Sequence, residues 1–96
     1  GAETEAANVA TAIGQGNTDD LRFSWRNDGT VKINLESIPE LANRAAPKQT
    51  LAGRRKRFRN ALVEAMRRRD FEPAPTRTGG QSQYIFRPQN YAQNCP

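Results

Sequence analysis

The sequence predicts a small α+β domain of short helices, with an N-terminal hairpin and a C-terminal hairpin. Three observations carry this. Leu21, Phe23 and Trp25 alternate with polar residues, as do Val31, Ile33 and Leu35, and the two runs flank Arg26-Asn27-Asp28-Gly29; strict alternation marks strands with one buried face, and Asp-Gly between them marks a tight turn. Residues Thr50 to Arg69 carry an apolar stripe at helical spacing. Beyond them, Pro73 and Pro75 permit only an edge or irregular strand, Gly79-Gly80 permit a turn, and Tyr84 to Phe86 are β-prone.

Taken in order, Ala6, Val9, Ala10 and Ile13 fall at i, i+3, i+4 and i+7 and predict a short helix over residues 2 to 13, packed through its small apolar face. The competing reading is a frayed acidic tail. Gly14 and Gly16 close the segment either way, and GQGNTDD reads as a connection. The Asp-Gly of the first hairpin predicts a type I′ turn, whose two central residues take positive φ. Trp25 belongs to the alternating core face; an exposed platform for stacking bases is the competing role. Ser37-Ile38-Pro39-Glu40 predicts a helix start in which Ser37 and Glu40 cap each other's amides, with Ile38, Leu41, Ala42 and Ala45 inward and Pro47 ending it. Thr50 is placed to cap the next helix. The segment beyond Pro88 is polar, with Tyr91 able to fold back. The organisation expected is an acidic N-terminal segment over 1–20, a domain over 21–88 and a polar tail over 89–96.

Ninety-six residues with 35% hydrophobic content supply one modest core. The formal charge is +5, but residues 1–20 carry −4, so the remaining 76 carry +9. A domain of that charge has the electrostatic footprint of a nucleic-acid binder. With no His and a single cysteine, Cys95, the usual zinc sites and every His-dependent catalytic arrangement are excluded. No catalytic residue, metal or cofactor is expected, and the chain reads as a non-enzyme. No apolar run approaches a membrane span and no secretory leader is visible, which leads to the expectation of a cytoplasmic or nucleoid-associated protein, nuclear if eukaryotic. No long apolar heptad indicates an oligomer.

The basic segment holds eight of the fifteen Lys and Arg residues, seven of them Arg, against Glu64 alone. On a helix of about 100° per residue, Leu51, Phe58, Ala61, Leu62, Ala65 and Met66 share one arc of roughly 140°. Lys56, Arg57, Arg67 and Arg68 lie opposite. A charge run is commonly no more than a solvated helix face, but such faces relieve repulsion with i,i+4 counter-charges, and this one has almost none. Guanidinium groups grip phosphates and guanine edges in a bidentate way, which favours nucleic acid over a membrane surface.

The order of elements resembles the winged helix-turn-helix family. Val31 to Leu35 corresponds to its first strand, Ser37 to Ala46 to its second helix, Thr50 to Arg69 to its recognition helix, and Phe71 to Arg87 to its wing. RRKRFRNALVEAMRRRDFEP followed by GGQSQYIFRP carries the likeness, which covers about three quarters of the chain and rests on element order. The resemblance implies binding of double-stranded DNA. Arg54, Arg55, Lys56, Arg57 and Arg59 would lie at a major groove, Lys48 and Thr50 would meet backbone oxygens, and Arg77 would reach a neighbouring groove from the wing. Arg67, Arg68 and Arg69, two to three turns away, would touch phosphate or a partner's acids. The extra strand Leu21 to Trp25 and the proline-rich exit strand depart from the family pattern. The alternative is an RNA-binding module or a protein-interaction adaptor with a basic helix face.

Overall fold

The first helix, α1 (Ala2–Gly14), is held by its small residues. Ala6, Val9, Ala10 and Ile13 are all buried, as the spacing predicts, and so are Ala2 and Ala12. In the computed structural model, which describes residues 1–42 and 47–91, and only the backbone of Lys48, Gln49, Gln81 and Ser82, this face lies on α2 (Lys48–Arg67). Alanines let the two helices approach closely, and Phe58, Leu62 and Met66 of α2 complete the core. The core therefore reaches well before residue 21, where the expected domain begins, and includes the packed first helix. A polar staple closes the far end of the pair: Arg69 donates to the Ala65 carbonyl and, across the helices, to Thr11 Oγ1 at 3.0 Å. Gly14 leaves room for it, since a Cβ there would stand 3.0 Å from Arg69 Cδ.

The helices cover one face of a four-stranded antiparallel sheet made of β1 (Phe23–Trp25), β2 (Val31–Ile33), β3 (Phe71–Pro75) and β4 (Gln81–Pro88), in the order β1-β2-β4-β3. Phe23, Val31, Ile33 and Phe86 form its buried face. Trp25 is half-buried against this core and its indole N–H donates to the Asn17 carbonyl at 2.7 Å, so it is a packing residue. Leu21 departs from expectation. It lies outside β1 and is 81% exposed, while the backbone around it is held by Arg22, whose amide donates to Asp20 Oδ1. β3 is a sheet edge, where Pro73 and Pro75 are tolerated, and its register against β4 shifts between them.

Both hairpins use the same turn, and it is not type I′. The Arg26 amide donates to the Thr30 carbonyl and the Gly29 amide to the Arg26 carbonyl, with Gly29 at φ +86°. The second hairpin repeats this with Thr76, Gly79 and Gly80, Gly79 lying at φ +88°. A single left-handed residue after a type I turn gives a three-residue loop; Asp28 keeps negative φ, and its Oδ1 instead accepts from the Thr30 amide and hydroxyl.

Between β2 and α2 the expected capped helix is replaced by two 3₁₀ turns, Leu35–Ser37 and Pro39–Leu41. Ser37 caps nothing: its amide donates to the Asn34 carbonyl, and Ile38, in extended conformation, separates the turns. Pro39 does open its turn, and Ile38 and Leu41 are buried as predicted. The remainder of the expected helix, 43–46, lies outside the described residues. Leu35 starts a turn and is no longer part of β2. Thr50 does not cap α2, which begins at Lys48 with Pro47 at its N-cap, and Thr50 sits inside the first turn. The helix ends at Arg67, and Asp70 reverses the chain at φ +65°. This start places Arg54 to Arg59 in the second to fourth turns, beyond the reach of the helix dipole.

Candidate functional site

The arginines of α2 do not share one face. At about 100° per residue, Arg55 and Arg57 lie roughly 200° apart around the axis, as do Arg57 and Arg59. Arg54 and Arg57 flank the stripe on the α1 side, where Arg57 Nε stands 3.7 Å from Glu3 Oε1 in an exposed pair. Arg55 and Arg59 flank it on the other side, toward β4.

On that side a cleft of about 560 Å³ opens between α2 and β4, lined by Arg55, Lys56, Arg59 and Asn60 from the helix, Gln83 and Tyr84 from the strand, and Leu35 from the first 3₁₀ turn. Its wall holds three cations and no acid. Arg55 Nη2 donates to the Leu41 carbonyl at 3.2 Å, which ties the start of the cleft to the turn below it. The Nε atoms of Arg55 and Arg59 are buried and have no hydrogen-bond partner among the described residues. A buried N–H without a partner costs about 1–3 kcal/mol. Lys56 and Asn60 are exposed at the outer lip, and Tyr84 packs its ring partly into the core beneath it.

The other residues singled out by sequence are spread over the molecule. Lys48 opens α2, and its side chain lies outside the described residues. Thr50 is exposed in the first turn. Arg67 and Arg68 are exposed at the far end of α2, where Arg67 Nη1 pairs with Glu64 Oε1 at 3.2 Å. Arg77 is exposed at the tip of the second hairpin, as predicted, but it lines a different concavity, with Arg26 and Arg87. The structure thus brings together Arg55, Lys56 and Arg59 and separates them from Arg57 and Arg77.

Sequence reading misses Asn60, Gln83 and Tyr84. Asn60 is recoverable from helical phase alone, since it lies one turn beyond Lys56 on the outward face. Gln83 and Tyr84 are not, because they meet α2 only through pairing of β4 with β2. Elsewhere some charged groups are structural. Arg22 donates to both carboxylate oxygens of Asp20, at 2.9 and 2.6 Å, and to Glu5 of α1 at 3.3 Å. That bond to Arg22 holds the Asp20 carboxyl below its ordinary range, and Asp20 in turn raises Arg22. Thr30 holds Asp28 low in the same way. Among the described residues no group of three or more His, Cys, Asp or Glu is placed to hold a metal ion, and no helix is long and apolar enough to cross a membrane. No protein-family model, no curated protein and no solved structure matches this chain.

Proposed function

We propose that the chain is a binding domain for double-stranded DNA, built as a winged helix-turn-helix with one added edge strand. The observation that carries the reading is the cleft between α2 and β4, where, among the described residues, three cations meet without an acid and two guanidinium Nε groups are buried unpaired. A protein selected for stability alone would fill these positions with apolar or paired residues. An anionic partner in the cleft would face these guanidinium groups with the counter-charge that its wall lacks, and a phosphodiester backbone fits both the charge and the fork geometry of Arg.

The connectivity supports the family reading. A first helix, a strand, helical turns, a long helix and a hairpin follow in order, and β4 inserts between β2 and β3. In this arrangement α2 presents Lys56 and Asn60 outward to a major groove, while Arg55 and Arg59 hold the flanking phosphates from the cleft wall. Asn60 has the side chain suited to an adenine edge. Arg54 and Arg57 face α1 and serve the long-range field.

The test is a fluorescence titration of the full chain against random duplex DNA, single-stranded DNA and duplex RNA at several salt concentrations. Duplex DNA is expected to bind most tightly, with a log-log salt slope of roughly −4 to −5 for about four to six neutralised phosphates. A slope near zero overturns the reading. Preference for duplex RNA, or tight single-strand binding with quenching of Trp25, transfers it to the other nucleic-acid classes.

A further inference from the structure

The second concavity, of about 550 Å³, lies on the face of the sheet turned away from the helices and is lined by Arg26, Thr30, Thr76, Arg77, Ile85 and Arg87, among others. Ile85 and Arg87 alternate along β4 with the buried Phe86, so they belong to the opposite face of the sheet. The two hairpins that frame this cleft are not neighbours: β1-β2 and β3-β4 are joined only through the β2-β4 pairing. Their tips come to one cleft because β4 is irregular. Pro73 pairs with Phe86 and Pro75 with Gln81, so β3 advances by one intervening residue while β4 advances by four. A bulge of this kind bends a hairpin and re-aims its side chains.

The charges in the cleft are unequal in their commitments. Arg87 is fixed as a floor, with Nη2 3.0 Å from Glu72 Oε2 and its guanidinium 5.5 Å from the Tyr91 ring centroid. Asp28 spends its Oδ1 on the Thr30 amide and hydroxyl, although its charge is felt by Arg26. The guanidinium groups of Arg26 and Arg77 make no hydrogen bond or ion pair among the described residues. Arg77 is exposed inside its three-residue loop and Arg26 is exposed at the residue that closes the other. Two uncommitted guanidiniums, from separate hairpins, beside threonine hydroxyls, form a seat for a second phosphodiester backbone.

We infer that this outer cleft binds a second nucleic-acid duplex, so that one copy of the chain bridges two duplexes held on opposite faces of its sheet. The inference rests on the reading of the α2 cleft as the first duplex site. The two clefts open on opposite faces of the sheet in a chain that extends at least 22 Å along each principal axis. With a screening length of about 8 Å at physiological ionic strength, phosphates held in the two clefts repel one another little.

Bridging is read by immobilising a short biotinylated DNA duplex, loading the full chain, washing, and adding a fluorescent duplex of unrelated sequence. The wild type is expected to capture the second duplex. Arg26→Gln with Arg77→Gln is expected to lower capture by on the order of tenfold while the affinity for a single duplex changes by less than about twofold. Both residues are exposed, so an unchanged melting curve checks that the variant folds. Capture that survives in the double variant overturns the inference, since bridging would then come from self-association or from another face. A wild type that binds one duplex without capturing a second also overturns it and leaves the α2 site standing. A chain that binds no duplex at all removes the α2 reading and the inference together.

Discussion

Arg59→Met separates the cost of the cleft from its use. Arg59 is half-buried, its Nε is sealed from solvent without a partner, and it makes no hydrogen bond or ion pair among the described residues. Leaving such an N–H unpaired costs about 1–3 kcal/mol, and partial exposure of the rest of the guanidinium places this case at the lower end. Methionine keeps an apolar stem in the cleft wall and removes the orphan donor. The net expectation is a gain of about 1 kcal/mol, or roughly 4–8 °C in Tm for a domain of this size. Duplex affinity should fall, with the salt slope shallower by about 0.9 for one lost phosphate. Arg55→Met is the internal contrast. It also removes an orphan Nε but gives up the 3.2 Å bond to the Leu41 carbonyl, worth about 0.5–1.5 kcal/mol, so its Tm should stay nearly unchanged. Differential scanning fluorimetry reads the stability and fluorescence anisotropy the affinity. A lower Tm for Arg59→Met would refute the reasoning, because it would mean that Arg59 is paired within the protein and is not held in reserve for a partner.

Four further expectations follow from the same contacts. A chain beginning at Asn17 loses Val9, Ala10 and Ile13 from the core, and its chemical denaturation should show no cooperative transition; Ile13→Ala in the full chain should cost about 2–5 kcal/mol. Gly29→Ala has open space for its Cβ but sits at φ +86°, so urea unfolding should register a loss of about 1 kcal/mol from backbone strain alone. Asp20, held below its ordinary 3.8 by Arg22, contributes stability that is present above that value and lost as pH falls through its folded value. Asp20→Asn should therefore lower Tm at pH 7 and flatten its decline below about pH 4. Asn60→Ala should leave Tm unchanged and reduce discrimination among duplex sequences more than overall affinity, measured by competition with random DNA.

Where each feature is set by neighbours along the chain, the sequence is a sufficient guide; where it is set by pairing at a distance, it is not. Phe58, Leu62, Ala65 and Met66 land on the buried face of α2 because helical phase depends on nothing else, and Pro73 and Pro75 place β3 at an edge because a missing N–H has the same consequence in any sheet. The same phase separates Arg55 from Arg57, so the division of the arginines was already present in the residue spacing. Treating them as one basic cluster hides it, because composition discards direction. Residues 35–41 show the opposite case: Ser37 and Glu40 have the spacing of a capping box, yet the Asn34 carbonyl takes the Ser37 amide and Ile38 is drawn into the core in extended form. Burial of Ile38 and Leu41 outweighs a local cap of about 1 kcal/mol.

The clefts lie still further from what spacing can reveal. Tyr84 comes to one cleft with α2, and Arg77 to another with Arg26, through the pairing of β4 with β2 on one side and its slip against β3 on the other. The bulge in β4 therefore works on both faces of the sheet: it shapes the wall of the α2 cleft at Gln83 and Tyr84, and it bends the second hairpin over the outer cleft. Ladder bonds given up at a sheet edge are solvated and cost little. An edge hairpin is consequently where such a distortion is tolerated, and the prolines of β3 already prevent the regular pairing that would oppose it.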